Sequence, residues 1–579
     1  MRLPATDASG GGLGPLQRTD ALGRLAAEEF DVLVVGAGVV GAGVALDAAT
    51  RGLSVALVEA RDYASGTSSR SSKLIHGGLR YLEQLEFGLV REALKERSLI
   101  LNQLCPHLAE PVSFLYPLQH RGWERLYVGV GFALYDLLGG RHGVPSHRHL
   151  SRTAARRLFP ALRSESLVGA VRYHDGQLDD ARHTMMLART ARRYGAVCAN
   201  SARVSTFLRE GDRVTGAVVR DLETGAEIAV RARQTINAAG VWTDEIQQMV
   251  GGRGELSVRA SKGVHLVVPR DRINASVGLI SRTEKSVLFV IPWGSHWIIG
   301  TTDTDWDLDR AHPAASRTDI DYLLAHVNRL LETPLTHDDI HGVYAGLRPL
   351  LSGESDSTSR LSREHAVVSP VPGLTMIAGG KYTTYRVMAK DAVDAALRST
   401  APGAPPCVTE RTPLVGADGF AACWNARERL AATSGLDVQR IEHLLRRYGS
   451  LVHELLALVA EDASFGRPLA HAPDYLRVEI SYGVTHEGAL HLDDLLARRT
   501  RISISTFDRG VGAADEVAQI AAPLLGWSDA DVEREIRHYR TRVAAERESQ
   551  EQTDDRTADA ARLGAPDVRA GWLVARRPT

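Results

Sequence analysis

The run Asp31 to Val35 (DVLVV) is apolar after its first residue, as expected of a parallel strand buried on both faces. A glycine-rich turn follows, then a helix-like stretch from about Val39 to Thr50 that Gly52 stops. A second strand, Ser54 to Val58, ends at Glu59. Helical spacing returns at Val90, Ala93, Leu94, Leu101 and Leu104, and again from Asp180 to Tyr194. Strand-like alternation fills Ala202 to Ala239, with hairpins expected around Glu210–Asp212 and Glu223–Ala226, and continues from Val258 to Gly300. From Leu414 to about Ala544 the pattern is mostly helical.

The ends of the chain read differently. Residues 1–28 carry Gly10, Gly11, Gly12 and Gly14 and no apolar core, which predicts a flexible tail and excludes a secretory signal of the usual build. The Pro- and Gly-rich residues 401–406 predict a linker, 401–408, before a helical domain at 409–544. Nine of the eighteen residues 545–562 are charged, which predicts a solvated, partly disordered tail at 545–579. The uncharged stretch 286–302 is broken by Pro292 and Gly294 and predicts two short strands about a turn. Trp123–Leu138, with Arg121 and Arg125 near its start, is too short to span a bilayer but suits either a membrane interface or a core position.

Charge and cysteine content narrow the classes. The chain has 69 Lys+Arg against 70 Asp+Glu, a net charge of −1, so it lacks the basic excess of a general nucleic-acid binder. Cys105, Cys198, Cys407 and Cys423 are too few and scattered for a disulfide framework or a zinc site; no metal is expected, and a reducing, cytoplasmic setting fits.

The first chemical signal is Gly36-x-Gly38-x-x-Gly41, which follows a strand and opens a helix. Gly36 permits the tight turn, Gly38 lets backbone approach a pyrophosphate, and Gly41 lets the helix pack on the strand. The helix N-terminus offers unpaired N–H groups to phosphate, and Glu59 is placed for a ribose. The motif alone does not separate FAD from NAD. The hydroxyl-rich run after it (Ser65, Gly66, Thr67, Ser68, Ser69, Ser71, Ser72) can wrap a large ligand, as an extended flavin dinucleotide requires.

At these residues the chain resembles the FAD-dependent glycerol-3-phosphate dehydrogenases, within the D-amino-acid-oxidase-like flavoproteins. The motifs that carry the resemblance are Thr67-Ser68-Ser69, SKLIHGGLRYLE (72–83), LDDARHTMMLA (178–188), NAAGVWTDEI (237–246) and SKGVHLVVPR (261–270). FVIPWGSHWIIGTTDTD (289–305), GVYAGLRPL (342–350), ESDSTSRLSREH (354–365), GGKYTTYR (379–386), RRYGS (446–450) and LLARRTRIS (495–503) continue it in order. The resemblance implies an α/β fold: a Rossmann-like FAD-binding domain (about 29–101, 175–255 and 346–400 of an oxidoreductase region 29–400) with an interleaved α+β substrate, or cap, domain (about 102–174 and 256–345). A C-terminal α-helical domain completes it.

It also implies oxidation of sn-glycerol 3-phosphate at C2, with a hydride passing to the flavin N5. Such a substrate needs clustered cations, and Arg80, Arg348, Arg363 and Lys381, with Tyr81 beside Arg80, match the family's substrate-pocket positions. Lys381 could also polarise the C2 oxygen. The general base is open between His76 and His265. For the cofactor, Gly36, Gly38, Gly41 and Glu59 bind the ADP half. Thr67, Ser68, Ser72, Lys73 and Leu74 line the pyrophosphate and ring, Val204 covers the adenine, and Gly379, Gly380 and Thr383 return to the flavin. Trp242, Trp293 and Trp297 read as core residues, and Arg498, Arg499 and Arg501 as either a solvated helix face or a contact with the catalytic body.

With no iron–sulfur or haem motif, the family's usual acceptor, a quinone, would bring the protein to the inner face of the membrane as a peripheral partner. A homodimer is expected. The alternatives are a glycerol-3-phosphate oxidase that uses O₂ and makes peroxide, and a flavin-binding sensor without turnover.

Overall fold

Four consecutive apolar residues, Val32 to Val35, place the strand Glu29–Val35 in the middle of a parallel sheet. Val55–Val58 and Glu227–Asn237 flank it, both parallel. Val197–Ala199 lies beyond the first and Leu374–Gly379 beyond the second. The structure is a computed structural model that describes residues 11–569 except 84, 121, 141–143, 252–255, 285–286, 353–363 and 399–402.

Both faces of this sheet are covered. On one, Val32 and Val34 pack with the helices Val39–Thr50, Asp180–Arg193 and Tyr385–Leu397 in one apolar core. On the other, Leu33 and Val35 meet the hairpin of Ala202–Glu210 and Arg213–Asp221, as the alternation predicted, and a helix the sequence did not reveal. That helix, Pro15–Ala27, lies within the front segment expected to be a flexible tail. Ala21 and Leu25 are buried against the sheet, and Arg18 pairs with Asp221 at 2.5 Å. Two small apolar anchors spaced four apart are enough to dock a helix onto a preformed surface, yet too few to show in a polar composition. Residues 1–10 of that expected tail lie outside the described residues.

A second, ten-stranded sheet carries the other half of the oxidoreductase region. Its long antiparallel pairs are Val258–Pro269 with Gly342–Leu351 and Ala109–Leu118 with Gly169–Leu178. The expected domain edges at 174/175 and 345/346 both fall inside strands of this sheet, Gly169–Leu178 and Gly342–Leu351. The uncharged stretch 286–302 forms the hairpin Val287–Trp293 and His296–Gly300.

Helices follow from Phe420 onward, and they do not stop at 544. The expected charged tail instead continues Asp529–Glu551 and adds Asp555–Leu563, with residues 570–579 outside the described residues. Some of its charges are paired: Arg562 with Glu546 at 3.6 Å and Asp555 with Lys262 at 2.5 Å. Others, among them Glu548, Asp554 and Arg556, are exposed, as the composition suggested.

The arginine triplet resolves the same way, as a contact with the catalytic body. Arg498, Arg499 and Arg501 are buried. Arg498 and Arg499 clamp Asp62 at 2.5 and 2.7 Å, and Arg501 holds Asp179 at 2.6 Å together with Asp180. Nearby, His491 sits between Glu223 of the first sheet's hairpin loop, at 3.1 Å, and Glu535, at 3.0 Å. Burial opposes its charge, but the two carboxylates prevail and raise its pKa to about 10. An unfolded histidine titrates near 6.5, so the imidazolium stabilises the fold in full below about pH 6.5, and that contribution fades as pH rises to about 10. His491→Gln is therefore expected to lower the melting temperature most at about pH 6 and progressively less towards about pH 10. A melting series across that range checks it.

Candidate active site

The turn after the first strand is built by exclusion of side chains. Gly36 has φ +98°, and a Cβ on it would come within 2.9 Å of Ala238 O. A Cβ on Gly41 would lie 1.8 Å from Gly36 O, so the helix Val39–Thr50 can rest on the turn only with glycine there. Across the turn, the Val39 N–H donates to Ser68 Oγ at 2.8 Å, and the Glu59 carboxylate accepts from Ala37 N–H at 2.8 Å and Arg61 N–H at 3.0 Å. A helix N-terminus, a serine hydroxyl and a carboxylate thus face one space.

That space is a cavity of about 920 Å³, at the upper end of the roughly 300–1,000 Å³ usual for ligand sites. One end is lined by Glu59, Val204 and Arg220, the other by His76, Tyr81, His265, Arg348 and Lys381. Gly36, Gly38, Thr67, Ser68, Ser72, Leu74, Gly379 and Gly380 line the wall between. Most of the expected cofactor and substrate residues therefore share one cleft. Three do not line it. Gly41 lies beneath the turn; Lys73 is turned away, its ammonium buried 2.9 Å from the Asp180 carboxylate; and Thr383 is buried behind the wall, where its hydroxyl bonds His76 backbone. The Lys73 side chain is thus a support and not a contact, because Asp180 offers a buried charge that the cavity wall does not. Arg363 lies outside the described residues, as does the side chain of Arg80, whose backbone begins the short helix Arg80–Glu83.

At the substrate end, the Arg348 guanidinium donates to Thr301 Oγ1 at 3.1 Å and Thr302 O at 3.2 Å, with Asp303 3.5 Å away. The Lys381 ammonium lies 3.6 Å from the centre of the Tyr81 ring. His265 stacks on Tyr344 at 4.8 Å, shares a hydrogen bond with Ser72 Oγ at 2.8 Å through Nε2, and has no partner on Nδ1. Burial, followed by the nearby Arg348 and Lys73 charges, holds its pKa well below the usual histidine value, so the ring is neutral at neutral pH.

Three features escaped the sequence reading. Trp242, expected in the core, lines the cavity with Arg61 above its ring at 5.2 Å, whereas Trp297 is fully buried as expected. Arg61 and Arg70 both donate to Ala311 O, each at 3.1 Å, and among the described residues neither has a carboxylate ion-pair partner. Burial and the surrounding arginines push Arg70 down to about 9, the mark of uncompensated positive charge. The only sequence signal was an arginine interrupting a run of serines. Last, Asp567 and Arg569 reach the cavity from the C-terminal segment.

The family model described as FAD dependent oxidoreductase matches residues 31–386, and the C-terminal domain of alpha-glycerophosphate oxidase matches 407–532. The chain belongs to the FAD-dependent oxidoreductases. It is 61% identical to glycerol-3-phosphate dehydrogenase 2 of Mycobacterium tuberculosis over 97% of this chain and 96% of that one. The human mitochondrial glycerol-3-phosphate dehydrogenase is 37% identical over 86% of this chain and 71% of its own. A glycerol-3-phosphate dehydrogenase from Bacillus halodurans, solved with FAD, superposes with a TM-score of 0.77 at 30% identity, covering 92% of this chain and 98% of that chain.

FAD is the family's cofactor, and the residues present fit it. The glycine cradle and the Val39 N-terminus suit a diphosphate, Glu59 suits a ribose diol, and Arg61 with Arg70 can offset the two diphosphate charges. Gly41→Ala is expected to force the helix off the turn and yield protein with little bound flavin; the flavin absorbance per mole of purified protein measures this.

Proposed function

We propose that this protein oxidises sn-glycerol 3-phosphate to dihydroxyacetone phosphate and delivers the electrons to a quinone at a membrane surface. The observation that carries the reading is the convergence of Arg348, Lys381 and His265 on the cavity that also holds the glycine cradle. A phosphate monoester carries about −1.5 to −2 charge at neutral pH, and Arg348 and Lys381 are fixed cations for it. Arg80 and Arg363 join them in this reading. Bound FAD supplies the hydride acceptor. Arg348 and Lys381 anchor the phosphate and so orient C2, and Lys381 favours the developing negative charge on its oxygen. His265, neutral and held by Ser72 at Nε2, is the candidate on this wall to take the hydroxyl proton. His76, on the same wall, is the second candidate for that proton.

Anaerobic addition of glycerol 3-phosphate to the holoprotein tests the reaction: the flavin band should bleach, and an unbleached band defeats this reading in favour of a sensor. Arg348→Ala should raise KM and lower kcat, together about 10²-fold or more in kcat/KM, with flavin still bound. His265→Asn should lower kcat with less effect on KM.

For the acceptor, the helix Trp123–Gly139 is the relevant surface. Trp123, Leu126, Tyr127, Val130 and Leu137 are exposed on it, with Leu126 72% and Leu137 77% accessible. They recur at the spacing of one helical face, and an outward apolar stripe of this kind suits the headgroup boundary. Phe132 and Tyr135 face inward, where the Tyr135 hydroxyl accepts from Gly77 N–H at 2.9 Å, next to His76. Among the described residues no helix is long and apolar enough to cross a membrane, so the contact proposed is peripheral. In flotation with phospholipid vesicles the protein should rise with the lipid, and Leu126→Glu with Val130→Glu should abolish this; peroxide yield against quinone-analogue reduction separates dehydrogenase from oxidase. A homodimer belongs to the same reading.

A further inference from the structure

The segment 555–569 lies beyond both family-model matches, which end at 386 and 532, and its composition suggested only a solvated tail. Its placement is otherwise. Ala558 is fully buried with Val241, Trp306 and Leu347, and Ala565 and Val568 are buried further on. Lys262 of the second sheet holds Asp555 at 2.5 Å, and His538 of the helical domain shares a hydrogen bond with Pro566 O at 2.8 Å.

The end of the segment then reaches the cavity. Arg569, 4% exposed, donates to Ser201 Oγ at 2.9 Å and to Asp494 at 3.0 Å. Asp567 accepts from the Arg569 N–H at 3.0 Å and faces His312 at 3.6 Å. All of the described structure is thereby drawn together at this point: Ser201 belongs to the first sheet's side, His312 to the second's and Asp494 to the helical domain. Both Asp567 and Arg569 line the same cavity as Glu59, Val204 and Arg220, the group at the end assigned above to the ribose.

We infer that the C-terminal segment is part of the cofactor site: Asp567 and Arg569 wall the adenosine end of the dinucleotide and slow its release. The inference rests on the reading that Glu59 marks the ribose end. A dinucleotide held between the glycine turn and this wall leaves only when the wall yields. Because Asp567 and Arg569 are anchored to three separate parts of the molecule, that opening requires several ion pairs and hydrogen bonds to break together. The wall also removes solvent from Glu59 and Arg61, which strengthens whatever polar contacts they make with the ligand.

Cofactor release from the holoprotein tests this, read as recovery of free-flavin fluorescence after dilution. Arg569→Ala with Asp567→Ala in the full chain should speed release at least about tenfold. Arg569→Lys should recover part of the slow rate, and in the double variant release should quicken by more than the fall in flavin-free stability accounts for. Release from the full-length double variant at the wild-type rate overturns the inference, as does faster release accompanied by an equal loss of stability in the flavin-free protein. Wild-type protein that takes up no FAD would instead overturn the reading of the cavity itself.

Discussion

One buried carboxylate organises the active-site loop. Asp180, at the start of the helix Asp180–Arg193, accepts from Ser71 N–H and Oγ, from the Lys73 ammonium and from Arg501 of the helical domain. Arg501 also donates to Ser69 O. The strand-poor loop that presents Thr67, Ser68 and Ser72 to the cavity is therefore fixed from behind by charges that never touch the ligand. Buried charges of this kind are costly alone and tolerated only as a satisfied network. Removing any one member would leave the others uncompensated next to the flavin wall. The helical domain is thus part of the active site's construction, although almost none of it lines the cleft.

This arrangement explains why so many distant motifs meet. The two sheets are separate, and in the second the antiparallel pair Val258–Pro269 and Gly342–Leu351 carries His265, Tyr344 and Arg348 on one face. His265 pairs with Tyr344 in register, so their rings stack by backbone geometry alone. Arg348 reaches the same face four positions later and is steadied by Thr301 and Thr302.

The legibility of the sequence was uneven for physical reasons. The strand, glycine turn and helix at 31–50 could be read because local sterics dictate them, down to the helix bounds Val39–Thr50. The pocket residues could be read because their motifs resemble a known family. What could not be read was pairing at a distance. The front helix and the roles of Arg498, Arg499 and Arg501 depend on partners hundreds of positions away, as does Asp555 in the terminal helices, and composition alone makes such residues look solvated. The direction of the Lys73 side chain was hidden for the same reason: nothing local reveals that Asp180 waits behind it. Trp242 was misjudged because a large aromatic residue suits a core and a cavity wall equally well.

Arg61 and Arg70 both donate to one backbone oxygen, and among the described residues neither forms an ion pair with a carboxylate, although Glu59 and Asp567 offset part of the Arg61 charge. In the proposed binding mode the diphosphate of a bound dinucleotide would relieve the repulsion between them, so loading would add stability by neutralisation as well as by mass action. Small anions at high ionic strength should partly substitute, shielding the pair before the vitamin-derived ligand arrives. Unloaded copies would then be the less stable ones and the first to unfold.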